Sequence, residues 1–97
     1  MNEAQAVLVD VRSPSEYATG HVEGAVNLPL DRLTSDAPTL LPDKSAPLVL
    51  YCVSGARSEM AAQWLRQAGY TRVTNGLSAG SVALQSGRSI HGYKHTD

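Results

Sequence analysis

One stretch constrains the fold of this chain most: the apolar run at residues 48–51 passes directly into a loop of small residues and then into a helical pattern. A short run of Leu, Val and Tyr without polar interruption is typical of a buried strand. After the loop, apolar residues recur at helical spacing until Gly69 ends the pattern. These residues are Ala61, Ala62, Trp64, Leu65 and Ala68. The sequence therefore predicts a central strand that turns directly into a helix.

A second strand and helix precede this pair near the beginning of the sequence. Residues 7–11 form a short β-branched apolar run, which predicts another buried strand. Ser13 suits the cap of the helix that follows, because Pro14 fits the first helical position and Glu16 stands three residues after the cap. We expect this short helix to end near Gly20.

The remaining segments carry weaker signals. Residues 25–28 predict a short strand, and residues 30–33 predict a single turn of helix. Residues 34–47 hold three prolines and are predicted to be mostly irregular. Residues 72–74 predict another short strand, and residues 77–85 predict a last helix with Ala79, Val82 and Ala83 facing inward.

Strands that alternate with helices predict an α/β fold: a parallel sheet with helices on both faces, in three layers. Ligand sites of such sheets lie beyond the carboxyl ends of the strands, which is where Cys52 begins its loop. The chain has 97 residues, enough for one domain and too few for two. We expect a single domain over 1–97, with its core at about 7–87 and a polar, loose tail over 88–97.

Composition excludes several classes of function. The chain is 42% hydrophobic and 18% charged, with a net charge of -1, so it lacks the basic footprint of a nucleic-acid binder. It also lacks a basic amphipathic or long apolar stretch for a membrane. Residues 1–6 do not resemble a signal peptide, which favours the cytoplasm, or the periplasm if a leader has been removed. The single cysteine excludes an internal disulfide and a cysteine-cluster metal site.

The loop after the central strand has the chemistry of an anion site. Four small residues follow Cys52 and allow successive backbone N–H groups to converge on one point. They are Val53, Ser54, Gly55 and Ala56. Such a nest beside a helix N-terminus attracts an anion and favours the thiolate, which is the nucleophilic form of cysteine. Arg57 adds a positive charge, although a cation in the first helical turn opposes the helix dipole. That mismatch favours a functional role for Arg57.

Two other interpretations of Cys52 compete with catalysis by a thiolate. A lone cysteine at the end of a strand is usually a small buried hydrophobic residue. A core cysteine, however, needs neither Gly55 nor Arg57 beside it. The loop also resembles that of cysteine-dependent phosphatases, which place five residues between cysteine and arginine; here four residues separate Cys52 and Arg57. The shorter loop favours a single sulfur atom attached to the cysteine over a phosphate.

Two motifs, in this order and at this distance, resemble the rhodanese family from about residue 7 to about residue 77. The first comprises Asp10-Val11-Arg12, Glu16-Tyr17, Gly20-His21-Val22, Gly24-Ala25 and Asn27-Leu28-Pro29. The second comprises Tyr51-Cys52-Val53-Ser54-Gly55-Ala56-Arg57-Ser58, Ala61-Ala62, Leu65 and Ala68-Gly69-Tyr70. The short length is similar to the small single-domain members of the phage-shock type. The resemblance implies a rhodanese-like fold.

The resemblance also implies a reaction. Cys52 would take the outer sulfur of thiosulfate, or of a persulfide donor, and pass it from a Cys52 persulfide to cyanide in an assay or to a thiol or protein thiol in cells. The loop N–H groups would stabilise the persulfide; they belong to Val53, Ser54, Gly55, Ala56, Arg57 and Ser58. Supporting structural roles are implied for four residues, Asp10, Arg12, His21 and Gly24. Asp10 and Arg12 are expected to form a charge pair that braces the loop. No metal or organic cofactor is implied.

The sequence departs from the family pattern at residues 75–80, where a glycine pair and a bulky residue are common. The loop carries one cation, Arg57, and no lysine, so we expect modest turnover of the thiosulfate dianion and another natural donor. His91 and His95 are expected on the surface of the loose tail. Two alternatives stay open at this stage: a phosphatase or arsenate reductase of the cysteine-loop type, and a non-catalytic rhodanese-like binding module.

Overall fold

The computed structural model describes residues 6–92. A four-stranded parallel sheet with the order β3-β1-β4-β5 forms its centre, and β2 and β6 form a small antiparallel pair. The strands are β1 (Val7–Asp10), β2 (His21–Val22), β3 (Val26–Asn27), β4 (Leu48–Cys52), β5 (Val73–Ser78) and β6 (Ile90–His91). The helices are α1 (Pro14–Thr19), α2 (Leu33–Leu40), α3 (Ala56–Gln67) and α4 (Ala79–Ser86), and a 3-10 turn covers Leu30–Arg32.

The strand β4 lies inside the sheet, between β1 and β5, and all of its residues are buried. Val9 pairs with Leu50 on one side, and Cys52 pairs with Ser78 on the other. Full burial on both faces explains why this strand has an uninterrupted apolar run rather than an alternating pattern. The prediction of a central strand that ends at the cysteine loop is confirmed.

Alternate residues of the strands supply two separate apolar cores. On one face, Leu48 and Leu50 of β4 pack with residues of α2 and α3, including Ala37 and Leu65. On the other face, Leu8, Val49, Tyr51 and Val22 pack with Val82 of α4, and Tyr17 of α1 lies against them. The predicted parallel sheet with helices on both faces is therefore confirmed.

The start of α1 follows the sequence prediction. The Ser13 hydroxyl accepts a hydrogen bond from the Glu16 N–H at 3.2 Å, and the Glu16 carboxylate accepts one from the Ser13 N–H at 2.9 Å. Pro14 occupies the first turn, and Gly20 follows the last helical residue. This reciprocal capping satisfies two N–H groups that a helix end leaves without partners.

The helix α2 corrects the prediction that residues 34–47 are mostly irregular. Three prolines favoured a loop, yet Pro38 lies inside this helix. Leu33 and Ala37 stand one helical turn apart and are both buried against the sheet, and Leu41 is buried directly after the helix. Burial of this apolar stripe outweighs the hydrogen bond that Pro38 cannot donate.

The strand β5 is longer than predicted, and α4 begins later. The strand covers Val73–Ser78 rather than residues 72–74, so Leu77 belongs to it and not to the last helix. Gly76 lies inside this strand, at a point where there is no room for a side chain. A Cβ there would lie 2.5 Å from Val82 Cγ2 and 2.8 Å from Val49 Cγ1. Glycine usually signals a break, but here it lets α4 pack closely on the sheet.

The segment after Gly87 corrects the prediction of a loose tail as far as residue 92. The strand β6 pairs with β2, which the sequence did not predict, and the Glu23 N–H donates to the Ser89 carbonyl at 2.8 Å. His91 is exposed, as expected for a surface residue, but it lies in this strand. The remaining tail with His95, and residues 1–5, lie outside the described residues. Within residues 6–92, no helix has the length and apolar content needed to cross a membrane.

Candidate active site

Cys52 is the last residue of β4, and its side chain is buried with only 2% of the residue exposed. Three residues separate it from the first residue of α3, so the chain must reverse direction within a very short loop. Gly55 makes this turn with a φ of 102°, a left-handed conformation that residues with a Cβ rarely adopt. A Cβ at Gly55 would also lie 2.8 Å from Leu77 Cδ2.

The turn aims hydrogen-bond donors at the sulfur. The Gly55 N–H donates to Cys52 Sγ at 3.0 Å, and the buried Ser58 hydroxyl lies 3.6 Å from Sγ. Burial of Cys52 alone would raise its pKa, but the N–H and hydroxyl of Ser58 and the N–H groups of Gly55 and Ser54 outweigh it. Together they lower the pKa of Cys52 to about 7, so much of the thiol is ionised at neutral pH.

The side chain of Arg57 is held by α1. Its guanidinium makes two hydrogen bonds to the Glu16 carboxylate, at 2.8 and 3.0 Å, in a bidentate ion pair. The Arg57 guanidinium, together with the Ser13 N–H, lowers the pKa of Glu16 to about 2. The predicted cation of the loop is therefore in place, but the Glu16 carboxylate, which was predicted to cap α1, neutralises it.

Asp10 and Arg12 form the ion pair that the sequence predicts. Asp10 is fully buried, and Arg12 donates to its carboxylate through Nε and Nη2, at 2.9 and 2.7 Å. Arg12 Nη2 also donates to the Gly20 carbonyl at 2.6 Å, and its guanidinium lies 5.6 Å from the centre of the Tyr51 ring. The pair thus connects the ends of β1 and α1 and reaches the residue before Cys52.

His21 and Gly24 lie around the small β2–β6 sheet. His21 Nδ1 is 3.0 Å from the Tyr17 carbonyl oxygen, and the His21 ring stacks on the Tyr17 ring with centroids 3.7 Å apart. Gly24 has a φ of 84° in the turn that follows β2. These contacts hold local structure.

Asn75 was not identified as a site residue from the sequence, yet it holds the cysteine loop. Its Oδ1 accepts from the Ser58 hydroxyl at 2.6 Å and from the Leu77 N–H at 2.9 Å. Its Nδ2 donates to the Gly55 carbonyl at 3.0 Å. Asn75 lies just beyond the strand predicted at residues 72–74, and no local pattern indicates that its side chain reaches the loop after the neighbouring strand.

The surroundings of the loop are largely apolar. Val53 is 59% exposed and Leu77 is 50% exposed, while Ser54 and Ala56 are also at the surface. A cleft of about 400 Å³ opens beside Arg57. The residues that line it are Val11, Ser13, Pro29, Leu30, Asp31 and Arg57. Within residues 6–92, no group of three or more His, Cys, Asp or Glu side chains could hold a metal ion.

Comparison with known sequences identifies proteins that are similar to this chain. The chain is 37% identical over 76 residues to the thiosulfate sulfurtransferase PspE of Escherichia coli (strain K12), which covers 78% of this chain and 73% of that protein. It is 36% identical over 77 residues to a tRNA uridine(34) hydroxylase of Erwinia tasmaniensis, which covers 75% of this chain. The chain spans only 22% of the length of that hydroxylase.

Solved structures support the same relationship. A rhodanese with anions from E. coli superimposes with a TM-score of 0.80 at 32% identity, over 90% of this chain and 98% of that one. The model of the rhodanese-like domain family matches residues 1–83. The short loop that directs the Gly55 N–H at Cys52 Sγ, the sheet order and these matches agree, and the chain is a member of the rhodanese-like domain family.

Proposed function

We propose that this chain is a sulfurtransferase that carries sulfane sulfur as a persulfide on Cys52. The observation that carries the proposal is the buried sulfur at the end of β4, which accepts the Gly55 N–H at 3.0 Å and has a pKa of about 7. A thiolate held in this way is a nucleophile at neutral pH. The match to a relative named as a thiosulfate sulfurtransferase supports the same reaction class.

The transfer takes place in two displacements. The Cys52 thiolate attacks the outer sulfur of thiosulfate, a new S–S bond forms, and sulfite leaves with the electron pair of the broken S–S bond. A thiophilic acceptor then attacks the terminal sulfur of the persulfide, and the electron pair of that S–S bond returns to Cys52 as the thiolate. In each step the reactants together neither gain nor lose electrons, so the transfer needs no external oxidant or reductant.

The backbone of the loop supplies the anion site in this proposal. Sulfur that extends from Cys52 Sγ would carry negative charge beside the Gly55 N–H, which donates to Sγ at 3.0 Å, and beside the N–H groups of Ser54 and Ser58, which favour the thiolate. Fixed dipoles need no reorganisation during the reaction, which is the physical basis of an oxyanion hole.

The acceptor is proposed to be a thiol or a protein thiol. Val53 and Leu77 present apolar side chains at the surface beside the loop, where an approaching thiol would contact them. Cys52 must be reduced to attack, and thiols are kept reduced in the cytoplasm. A cytoplasmic setting is therefore part of this proposal.

Steady-state transfer of sulfur from thiosulfate to cyanide tests the function. We expect thiocyanate formation by the parent chain and a loss of at least about a thousandfold in Cys52→Ser, since the hydroxyl is not ionised at neutral pH. Ser45→Ala is the control and should retain the parental rate, because Ser45 precedes β4 and lies at the end of the strand that is remote from Cys52. Equal rates for Cys52→Ser and the parent would contradict the proposal. Hydrolysis of an aryl phosphate that depends on Cys52 would instead favour the phosphatase alternative.

A further inference from the structure

Both arginines beside the cysteine loop are already paired with carboxylates. Arg57 makes its two hydrogen bonds to Glu16, and Arg12 makes its hydrogen bonds to Asp10. Each pair has a net charge close to zero. The attraction that the loop offers to an anion therefore comes mainly from N–H dipoles, which act over a few ångströms on the atom that they touch.

The Glu16 carboxylate is fixed in its place by three hydrogen bonds. One oxygen accepts from Arg57 Nη1 and from the Ser13 N–H, and the other accepts from Arg57 Nη2. Its position at the third residue of the α1 capping box makes it part of the helix rather than a mobile surface group. Glu16 therefore keeps its negative charge next to Arg57 throughout the working pH range.

The cleft beside Arg57 adds a second observation. Its lining includes the apolar side chains of Val11, Pro29 and Leu30. Its acidic member is Asp31, and its basic member is Arg57, which is paired with Glu16. A volume of about 400 Å³ lies in the range of sites that bind small organic molecules. A cleft with an apolar wall and a carboxylate suits the organic substituent of a sulfur donor better than it suits the thiosulfate dianion.

We propose that Glu16, by neutralising Arg57, adapts the site to singly charged organic sulfane donors, such as persulfides and thiosulfonates, in preference to the thiosulfate dianion. This inference rests on the proposed sulfurtransferase function. In this transfer the Cys52 thiolate forms a bond to the terminal sulfur of the donor. The leaving group, a sulfinate from a thiosulfonate or a thiolate from a persulfide, takes the electron pair of the broken S–S bond. The organic part of the donor lies in the apolar cleft.

Two donors with matched chemistry and different charge provide the test. Thiosulfate carries two negative charges and methanethiosulfonate carries one, and both transfer a terminal sulfur from a sulfonyl group. The variant Glu16→Gln removes the charge and keeps the capping box, in which Gln substitutes for Glu. Asp43→Asn is the matched control, because Asp43 caps a turn at the opposite edge of the sheet through the Ser45 N–H. Each kcat/KM is measured at low and high ionic strength.

We expect Glu16→Gln to raise kcat/KM by about tenfold for thiosulfate and about threefold for methanethiosulfonate at low ionic strength, because Coulomb energy is proportional to donor charge. The ratio of the two donors cancels any general effect on Cys52 reactivity. The change in ratio should shrink at high salt and be absent in Asp43→Asn. In the parent chain, kcat/KM for thiosulfate should not fall as salt is raised.

An unchanged donor ratio in Glu16→Gln would overturn the inference, and so would a steep fall of the parental thiosulfate rate with salt. The second measurement uses the parent chain and does not depend on the folding of a variant. Absence of sulfur transfer from both donors would overturn the proposed function itself. Transfer from both donors with an unaltered ratio would overturn the charge role of Glu16 alone.

Discussion

At the scale of single residues, the Ser58 hydroxyl lies beside the sulfur and is held there by Asn75. Ser58 has one hydroxyl proton and three neighbours: Asn75 Oδ1 at 2.6 Å, the Gly55 carbonyl at 3.1 Å and Cys52 Sγ at 3.6 Å. Beside a protonated thiol, the Ser58 hydroxyl can donate to Asn75 Oδ1 or to the Gly55 carbonyl oxygen. When the thiol ionises, the hydroxyl can turn its proton to Sγ, which stabilises the thiolate.

The pH dependence of alkylation tests this arrangement. The rate of Cys52 modification by iodoacetamide should rise with pH, with a midpoint at about 7, because the thiolate is the reactive form. Ser58→Ala removes one donor to sulfur, so its midpoint should move upward, towards the ordinary value for cysteine. Ser45→Ala should keep the parental midpoint. An unchanged midpoint in Ser58→Ala would show that the hydroxyl does not act on the sulfur.

The sequence indicated Cys52 and its loop, but it could not show which side chains support them. Glu16 was recognised as a capping residue, yet its contact with Arg57 joins positions that are 41 residues apart. Asn75 reaches Ser58 only because β5 lies beside β4 in the sheet. Such contacts depend on tertiary packing, so a local pattern in one sequence carries no signal for them.

At the scale of elements, close packing of α4 on the sheet fixes the position of β5. Gly76 lies under Val82, and the space for a side chain is occupied by Val82 and Val49 and by the Leu50 carbonyl. The register between β4 and β5 also shifts at Leu50/Tyr51, which places Leu77 opposite Tyr51 and leaves it with a φ of 77°. This irregularity brings Asn75 and Leu77 to the cysteine loop.

Two glycine substitutions separate packing from backbone propensity. Gly76→Ala should destabilise the fold by roughly 1–3 kcal/mol, because its Cβ would overlap with Val82 and Val49. Gly80→Ala is the matched control: apart from its chain neighbours and the backbone of its own helix, no atom lies within 4 Å of the added Cβ, and alanine favours the α4 helix. It should leave stability unchanged or raise it by up to about 1 kcal/mol. Urea unfolding measures both, and equal midpoints for the two variants would contradict this account of β5.

Prediction of elements from the sequence succeeded where the local signal and the packing agree. The capping residues Ser13 and Glu16 define α1, and the apolar run at residues 48–51 defines β4. It was wrong where burial overrides a breaker, as at Pro38 in α2 and Gly76 in β5. The two-residue strand β2 is too short for any alternation of apolar and polar residues to indicate it.

At the scale of the whole molecule, the order β3-β1-β4-β5 brings distant segments together at the carboxyl ends of the strands. Cys52 ends β4, Arg12 follows β1, and Asn75 and Leu77 belong to β5. Parallel strands direct all these carboxyl ends to the same side, and the ligand sites of α/β sheets lie there. The fold class and the position of the cysteine loop at this end of the sheet could therefore be predicted together from the alternation of strands and helices.

The intact mass of the chain after incubation with thiosulfate, without an acceptor, tests the central claim most directly. The account predicts that the parent gains the mass of one sulfur atom, located on Cys52 by peptide mapping and removed by cyanide or by a thiol. Cys52→Ser, treated in the same way, should show no added sulfur. Unmodified parental chain after exposure to thiosulfate and to methanethiosulfonate, or sulfur bound equally in Cys52→Ser, would contradict a Cys52 persulfide.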